Sequence, residues 1–173
     1  MPNIRDTIHS LQLNWKTPRG AMHNGHLSPF SLQCRFSGPA NAASIHSIPS
    51  APPELIEFWQ VAETADLFKD CHYGQWGLTI LGPTATRSAT EEFLSDRPSE
   101  YREGDLVVGK FSGDSDLLIL RNARQLEDYR NVIIATPIDK RSEWYLAASN
   151  FTEFLHKFEQ EQGAKFWECR GED

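Results

Sequence analysis

The sequence predicts an α+β domain, with helices packed against a sheet, and three stretches carry that prediction. Gly104 to Arg121 reads GDLVVGKFSGDSDLLILR, two apolar runs around a Gly/Asp/Ser cluster. The segments PSAPPELIEFW and SNFTEFLHKF each repeat apolar side chains at helical spacing. Strand and helix signals in this mixed order suit one sheet with helices laid on it. In the first stretch, Leu106, Val107 and Val108 form a short apolar run rich in β-branched residues and closing near Gly109, and Leu117, Leu118, Ile119 and Leu120 form a second apolar run. The intervening SGDSD adopts φ > 0 readily and can hydrogen-bond its own backbone, so the pair reads as a hairpin. Neither run alternates cleanly. Both faces are therefore expected to be covered, at the centre of the sheet.

Composition sets the bounds. With 173 residues and 39% hydrophobic content the chain fills one sizeable core, so one domain is expected. A formal charge of −7 argues against nucleic acid as the main partner and suits a basic one. No run approaches the roughly 18 apolar residues of a membrane span, so no membrane partner is expected. The opening MPNIRDTIHS lacks the apolar core of a signal peptide. Cys34, Cys71 and Cys169 are odd in number and far apart, which argues against a disulfide framework and for a reducing, cytoplasmic setting.

In chain order, residues 1–29 read as an extension holding a short helix and a loop. Ile4, Ile8 and Leu11 are spaced four and three apart, and Trp15 tucks the helix against the body. The segment KTPRGAMHNGHLSP is rich in Pro, Gly and Asn and reads as a loop. His23 and His26 lie within it, but a structural zinc site needs about four ligands, and no further ligand cluster accompanies them. Leu32, Cys34 and Phe36 alternate as in a short strand, and AASIHSI makes a helical turn or two capped by Asn41. The next helix is expected to take Ser50 as N-cap and Pro52 and Pro53 in its first turn, with Glu54 and Glu57 favoured by the macrodipole. Its stripe is Leu55, Phe58, Trp59 and Ala62, a spacing at which Trp59 is a core residue rather than a ligand platform.

From Leu67 to Pro83 the chain passes into a strand with Leu78, Ile80 and Trp76 on one side, where Gly74 and Gly77 allow bends. Cys71 and His72, adjacent on such a strand, face opposite ways and make no dyad. Thr84 to Arg97 reads as a surface helix with Phe93 inward. After a polar connection, Asn122 to Tyr129, come a strand at Val132–Ala135 and an edge strand at Trp144–Leu146. The last helix begins at Ser149 or Asn150 with Glu153 as capping-box partner, carries Phe151, Phe154, Leu155 and Phe158, and stops at Gly163. Phe166 and Trp167 fold back, before a charged tail at 169–173.

The order PSAPPELIEFW, LFKDCHYGQWGLTILGP, GDLVVGKFSGDSDLLIL and SEWYLAASNFTEFLHKF resembles the SUKH superfamily, the domain shared by the yeast Smi/Knr cell-wall regulators and many bacterial immunity proteins. The resemblance covers roughly residues 30–168. One departure is that WQVAETADLF stands where the family usually shows an Asn-Gly-like turn after its first helix. The resemblance implies a single domain with a central, mainly antiparallel sheet flanked by helices. It further implies a non-enzymatic, cytoplasmic immunity protein that needs no cofactor, acts as a monomer or weak homodimer, and neutralises a cognate protein toxin. The acidic charge suits a basic nuclease as that toxin.

Two other classes compete. A regulator or scaffold of the fungal type would carry long disordered extensions, for which 173 residues leave no room. A metal-dependent hydrolase would use Asp105, Asp114 and Asp116, since clustered carboxylates hold Mg²⁺ or act as acid and base. Against it, Asp in a GDSD turn is explained by local hydrogen bonding, and no P-loop, HExxH or nucleophile elbow accompanies it. The candidate binding residues are the aromatics Tyr73, Trp76 and Tyr101, of the type that anchors interfaces, and the acids Glu91, Glu92, Asp96, Glu100, Glu103, Asp114 and Asp116. A charge run of that kind otherwise serves as a solvated face.

Overall fold

The computed structural model describes residues 2–169. At its centre β5 (Asp105–Phe111) pairs antiparallel with β6 (Leu117–Arg121). Val108, Leu118 and Leu120 enter one apolar cluster while Val107 and Ile119 enter another, so both faces of this pair are covered. Around it lie β1 (Arg19–His23), β2 (His26–Phe36), β3 (Ala65–Asp70), β4 (Leu78–Ile80), β7 (Val132–Ala135) and β8 (Tyr145–Ala148). These eight strands of the described residues form one antiparallel sheet ordered β1 to β8, each pairing with its neighbours in sequence. The architecture is α+β.

Two layers of helix enclose the sheet. On the inner face lie α1 (Ile4–Asn14), α3 (Pro53–Val61) and α5 (Phe151–Gln160), with α2 (Ala42–His46) beside α3. On the outer face α4 (Pro83–Asp96) covers β5, β6 and β7 through Ala89 and Phe93. The α5 stripe of Phe151, Phe154, Leu155 and Phe158 is fully buried, each side chain contributing roughly 1.5–3 kcal/mol by leaving water. Asn150 caps α5 by accepting the Glu153 N–H at 2.9 Å. The Glu153 carboxylate turns back to the N–H and hydroxyl of Ser149, and those bonds hold its carboxyl below the usual range. Trp59 is buried, its indole N–H donating to the Leu81 carbonyl at 3.0 Å.

Three sequence expectations are corrected. The segment read as a loop at residues 16–29 holds β1 and the start of β2, which makes residues 1–29 part of the body and places position 30 inside β2. Asn24 (φ 52°) and Gly25 (φ 78°) form its turn, the Asn-Gly pair that matches the twist of adjoining strands. Residues 65–83 contain two strands rather than one, with Trp76 in the loop between them. Ser50 does not cap α3. Pro52 and Pro53 each bar their preceding residue from the helical region, so the helix starts only at Pro53, with Pro52 as a cap that makes no side-chain bond. Within the expected tail, residues 170–173 lie outside the described residues.

Candidate binding face

Helix α4 is fastened to the body at its middle and at its C-terminal end, and that fastening shapes the cleft beside it. A bulge between Val107 and Gly109 leaves the Val107 N–H free of the ladder. The Thr90 hydroxyl accepts it at 3.0 Å and itself donates to the Thr86 carbonyl at 2.7 Å. At the far end the Arg97 guanidinium donates to the carbonyls of Thr136 and Asp139, at 2.9 and 2.6 Å, and lies 5.5 Å from the Trp144 ring centre. Between the helix and the tip of the β5–β6 hairpin remains a cleft of about 400 Å³. Phe93, Val107, Leu117 and Ala135 give it an apolar floor, and Glu92, Asp96 and Asp116 bring three carboxylates to it.

Asp116 is the unusual member. Only 6% of its side chain is exposed, yet its carboxylate accepts no hydrogen bond among the described residues. The nearest cation is the Lys165 ammonium, at 3.5 Å. Burial, reinforced by the carboxylates of Glu168 and Asp139, pushes its pKa up to about 6. Lys165 also pairs with Asp114 and lies over the rings of Trp76 and Phe111, and burial lowers its pKa. Asp114 in turn accepts the Asp116 N–H at 3.1 Å, the local turn bond expected of this cluster. Gly113 (φ 96°) has no space for a side chain, because a Cβ there would meet the Gln75 carbonyl oxygen at 2.4 Å. The β3–β4 loop therefore abuts the hairpin tip.

The sequence-selected residues divide between this cleft and structural duties. Glu92, Asp96 and Asp116 meet at the cleft, and Glu91 stands exposed on the same helix beside Arg87. Tyr73 is 80% exposed on the β3–β4 loop. Trp76 instead stacks on Phe30 and donates its indole N–H to Gly163 at 2.9 Å, so it holds that loop to the body. Tyr101 is half-buried against Phe93. Glu100 accepts the Arg141 backbone N–H, and the Glu103 carbonyl accepts from Arg121. Both thus brace the loop after α4. Sequence reasoning passed over Ile138, which is 94% exposed and follows the cleft-lining Pro137; its signal was an aliphatic residue inside an otherwise charged turn.

Asp105 does not join the hairpin acids. It is fully buried at the start of β5, bound by Arg121 at 2.8 Å and by both guanidinium nitrogens of Arg141 at 2.6 and 2.9 Å. Asp114 and Asp116 lie past the other end of that strand, roughly 20 Å away along its axis. The carboxylate trio expected of a metal-dependent hydrolase is therefore not assembled. Among the described residues no group of three or more His, Cys, Asp or Glu side chains could hold a metal ion. His23 is engaged with the Gln162 carbonyl at 2.8 Å. Cys34 is buried, with its pKa pushed up to about 12, while Cys71 and Cys169 are exposed. No helix among the described residues is long and apolar enough to cross a membrane. The chain matches no known protein-family model and none of the curated proteins compared with it.

Proposed function

We propose that this chain is a non-enzymatic, SUKH-like protein-binding domain that neutralises a cognate toxin, with the face around α4 and the β5–β6 tip as its contact surface. The observation that carries the reading is the cleft itself. It combines apolar side chains with three carboxylates, and the exposed Ile138 follows the cleft-lining Pro137 in sequence, a mixture that suits a protein partner with a basic surface. Charge at such a rim steers encounter, whereas an aliphatic anchor slows departure. The overall charge of −7 supports a basic partner, a nuclease toxin among them. Three free thiols suit a reducing, cytoplasmic setting, and the contact is made by a monomer or weak homodimer.

Capture from lysate of the source cells, followed by mass spectrometry, identifies the partner, and co-expression then tests its chemistry. The partner expressed alone should arrest growth, and this chain should restore it. A partner whose expression harms no cell, or whose toxicity the chain leaves unchanged, would overturn the antidote reading. Affinity for the purified partner should fall as salt rises, and insensitivity to salt would remove the case for a basic surface.

A further inference from the structure

We propose that the groove between the end of α1 and β2 is a docking surface for an acidic segment of a protein partner, one that presents carboxylates beside an aliphatic side chain. The inference goes beyond the reading above, because this groove lies at β2 rather than at α4 and the β5–β6 tip, and its charge has the other sign.

Two hydrogen bonds fix the groove in place. Where the register of β2 on β3 shifts between Gln33 and Arg35, the Cys34 N–H donates to the Trp15 carbonyl at 2.9 Å. The Gln33 side-chain amide donates to the Lys16 carbonyl at 2.7 Å. The end of α1 is thereby held beside β2, with a depression of about 550 Å³ between them. His9, Lys16 and Arg35 line it, and no carboxylate does. That is unexpected in a chain whose 24 acids outnumber its 17 lysines and arginines. All three side chains are exposed, and none has an ion-pair or hydrogen-bond partner among the described residues. Lys16 suits its place past the C-terminus of α1, where the macrodipole favours a cation, but that does not account for Arg35. Arg35 stands opposite Asp66 across β2 and β3, a position at which a cross-strand ion pair can form. Asp66 instead accepts from the Thr79 hydroxyl at 2.8 Å and lies 3.9 Å from Lys69. The Arg35 guanidinium is left for another anion.

The apolar part of the groove narrows the class of guest. Leu13, one turn from His9 on α1, is 67% exposed, and Phe36 is half-buried. A free inorganic anion would leave both in water. A peptide with aspartate or glutamate next to an aliphatic residue covers them while its carboxylates reach Lys16 and Arg35. Polyanions fit less well. A net charge of −7 repels a phosphate chain as it approaches, and the apolar stripe of α1 that a bilayer would need, Ile4, Ile8 and Leu11, is buried in the core. Of the other charges that act on Cys34 at the base of the groove, Arg19 lies over the Trp15 ring at 3.9 Å, and Glu159 is bonded by the Ser10 hydroxyl.

The test uses the chain alone, so it can fail while the toxin reading stands, and succeed while that reading fails. Backbone amide shifts are followed by NMR during titration with acetyl-Asp-Leu-Glu amide and with its neutral isostere, acetyl-Asn-Leu-Gln amide. The acidic peptide should give saturable shifts confined to the last turns of α1 and residues 33–36, with the neutral one binding about tenfold more weakly. Binding should weaken as salt rises. Lys16→Gln and Arg35→Gln should each weaken it, and the double variant should abolish it. All three positions to be changed, Leu13 included, are exposed, so the variants keep the fold. Leu13→Ser should weaken binding as well; unchanged binding there would reduce the groove to a plain cation patch and overturn the inference. Equal shifts with the neutral peptide, shifts scattered over the surface, or full binding in the double variant would also overturn it. So would binding of phosphatidylserine vesicles or of a single-stranded oligonucleotide that the double variant loses while the acidic peptide leaves the shifts unchanged.

Discussion

Asp105 and Asp116 bound the two ends of the β5–β6 hairpin, and each is a buried carboxylate with a different surrounding. Asp105 is supplied with donors from Arg121 and Arg141, and Arg121 is bonded in addition by Asp128 and the Glu103 carbonyl. Removing the carboxylate leaves a guanidinium that is 1% exposed with Asp128 as its remaining counter-charge, and takes from Arg141 its bidentate partner. Asp105→Asn should therefore lower unfolding stability by about 3–5 kcal/mol, measured by chemical denaturation; a loss below about 1 kcal/mol would show the network to be dispensable. Asp116 has the opposite sign. Its pKa rises from 3.8 to about 6 on folding, so the fold prefers the protonated acid. That contribution is complete below the unfolded value and is lost as pH climbs through about 6. Asp116→Asn should then raise stability at neutral pH, by on the order of 1–3 kcal/mol, and flatten the pH profile between those two values. A variant that gains stability while losing affinity is the pattern left by a residue kept for binding. Destabilisation at neutral pH would contradict that account.

Among the elements, the last helix and the central hairpin were the most legible in the sequence because local signals and tertiary burial agree there. In α5 the cap, the apolar stripe and the core all select the same residues. Asn150→Ala should cost about 1 kcal/mol in a denaturation curve. The equivalent Asn41→Ala should cost less, since α2 is five residues long and buries only Ile45. The β1–β2 hairpin was misread because few of its side chains are buried and Pro29 interrupts its second strand, so no clean alternation marks it. Its Asn-Gly turn was the readable signal. The prolines that delay α3 acted through backbone sterics, which the apolar pattern does not display. For the binding face, α4 and the GDSD tip were both selected from sequence, but their meeting was not. Asp105 and Arg141 are 36 positions apart, and only the folded chain shows that this aspartate belongs to an ion-pair network rather than to the hairpin acids.

At the scale of the whole molecule, division of labour follows from the two faces of one sheet. The inner face holds the large cluster under α1, α3 and α5. The outer face is covered by a single helix over β5 to β7, whereas toward β2–β4 it carries a polar surface in which Lys69 bonds Thr79 and Ser112 and Thr79 bonds Asp66. The cleft opens at the margin of that lone helix, which positions it against a rigid sheet with water on the other side. Substitutions confined to the outer rim, such as Asp96→Asn, should therefore leave the melting temperature within the range of ordinary surface changes, about ±0.5 kcal/mol in stability, while altering partner affinity.

The chain-order sheet also bears on how the molecule is made. Each strand finds its neighbour already synthesised, so the sheet can lengthen one strand at a time as the chain leaves the ribosome. The inner face cannot close on that schedule. Its cover includes α5, which packs on α1 and sends Glu159 to meet the Ser10 hydroxyl, joining the first helix to the last. Until α5 emerges, a nearly finished sheet displays its apolar side to water or to a chaperone. The final helix thus sets the moment at which a growing surface becomes a protein.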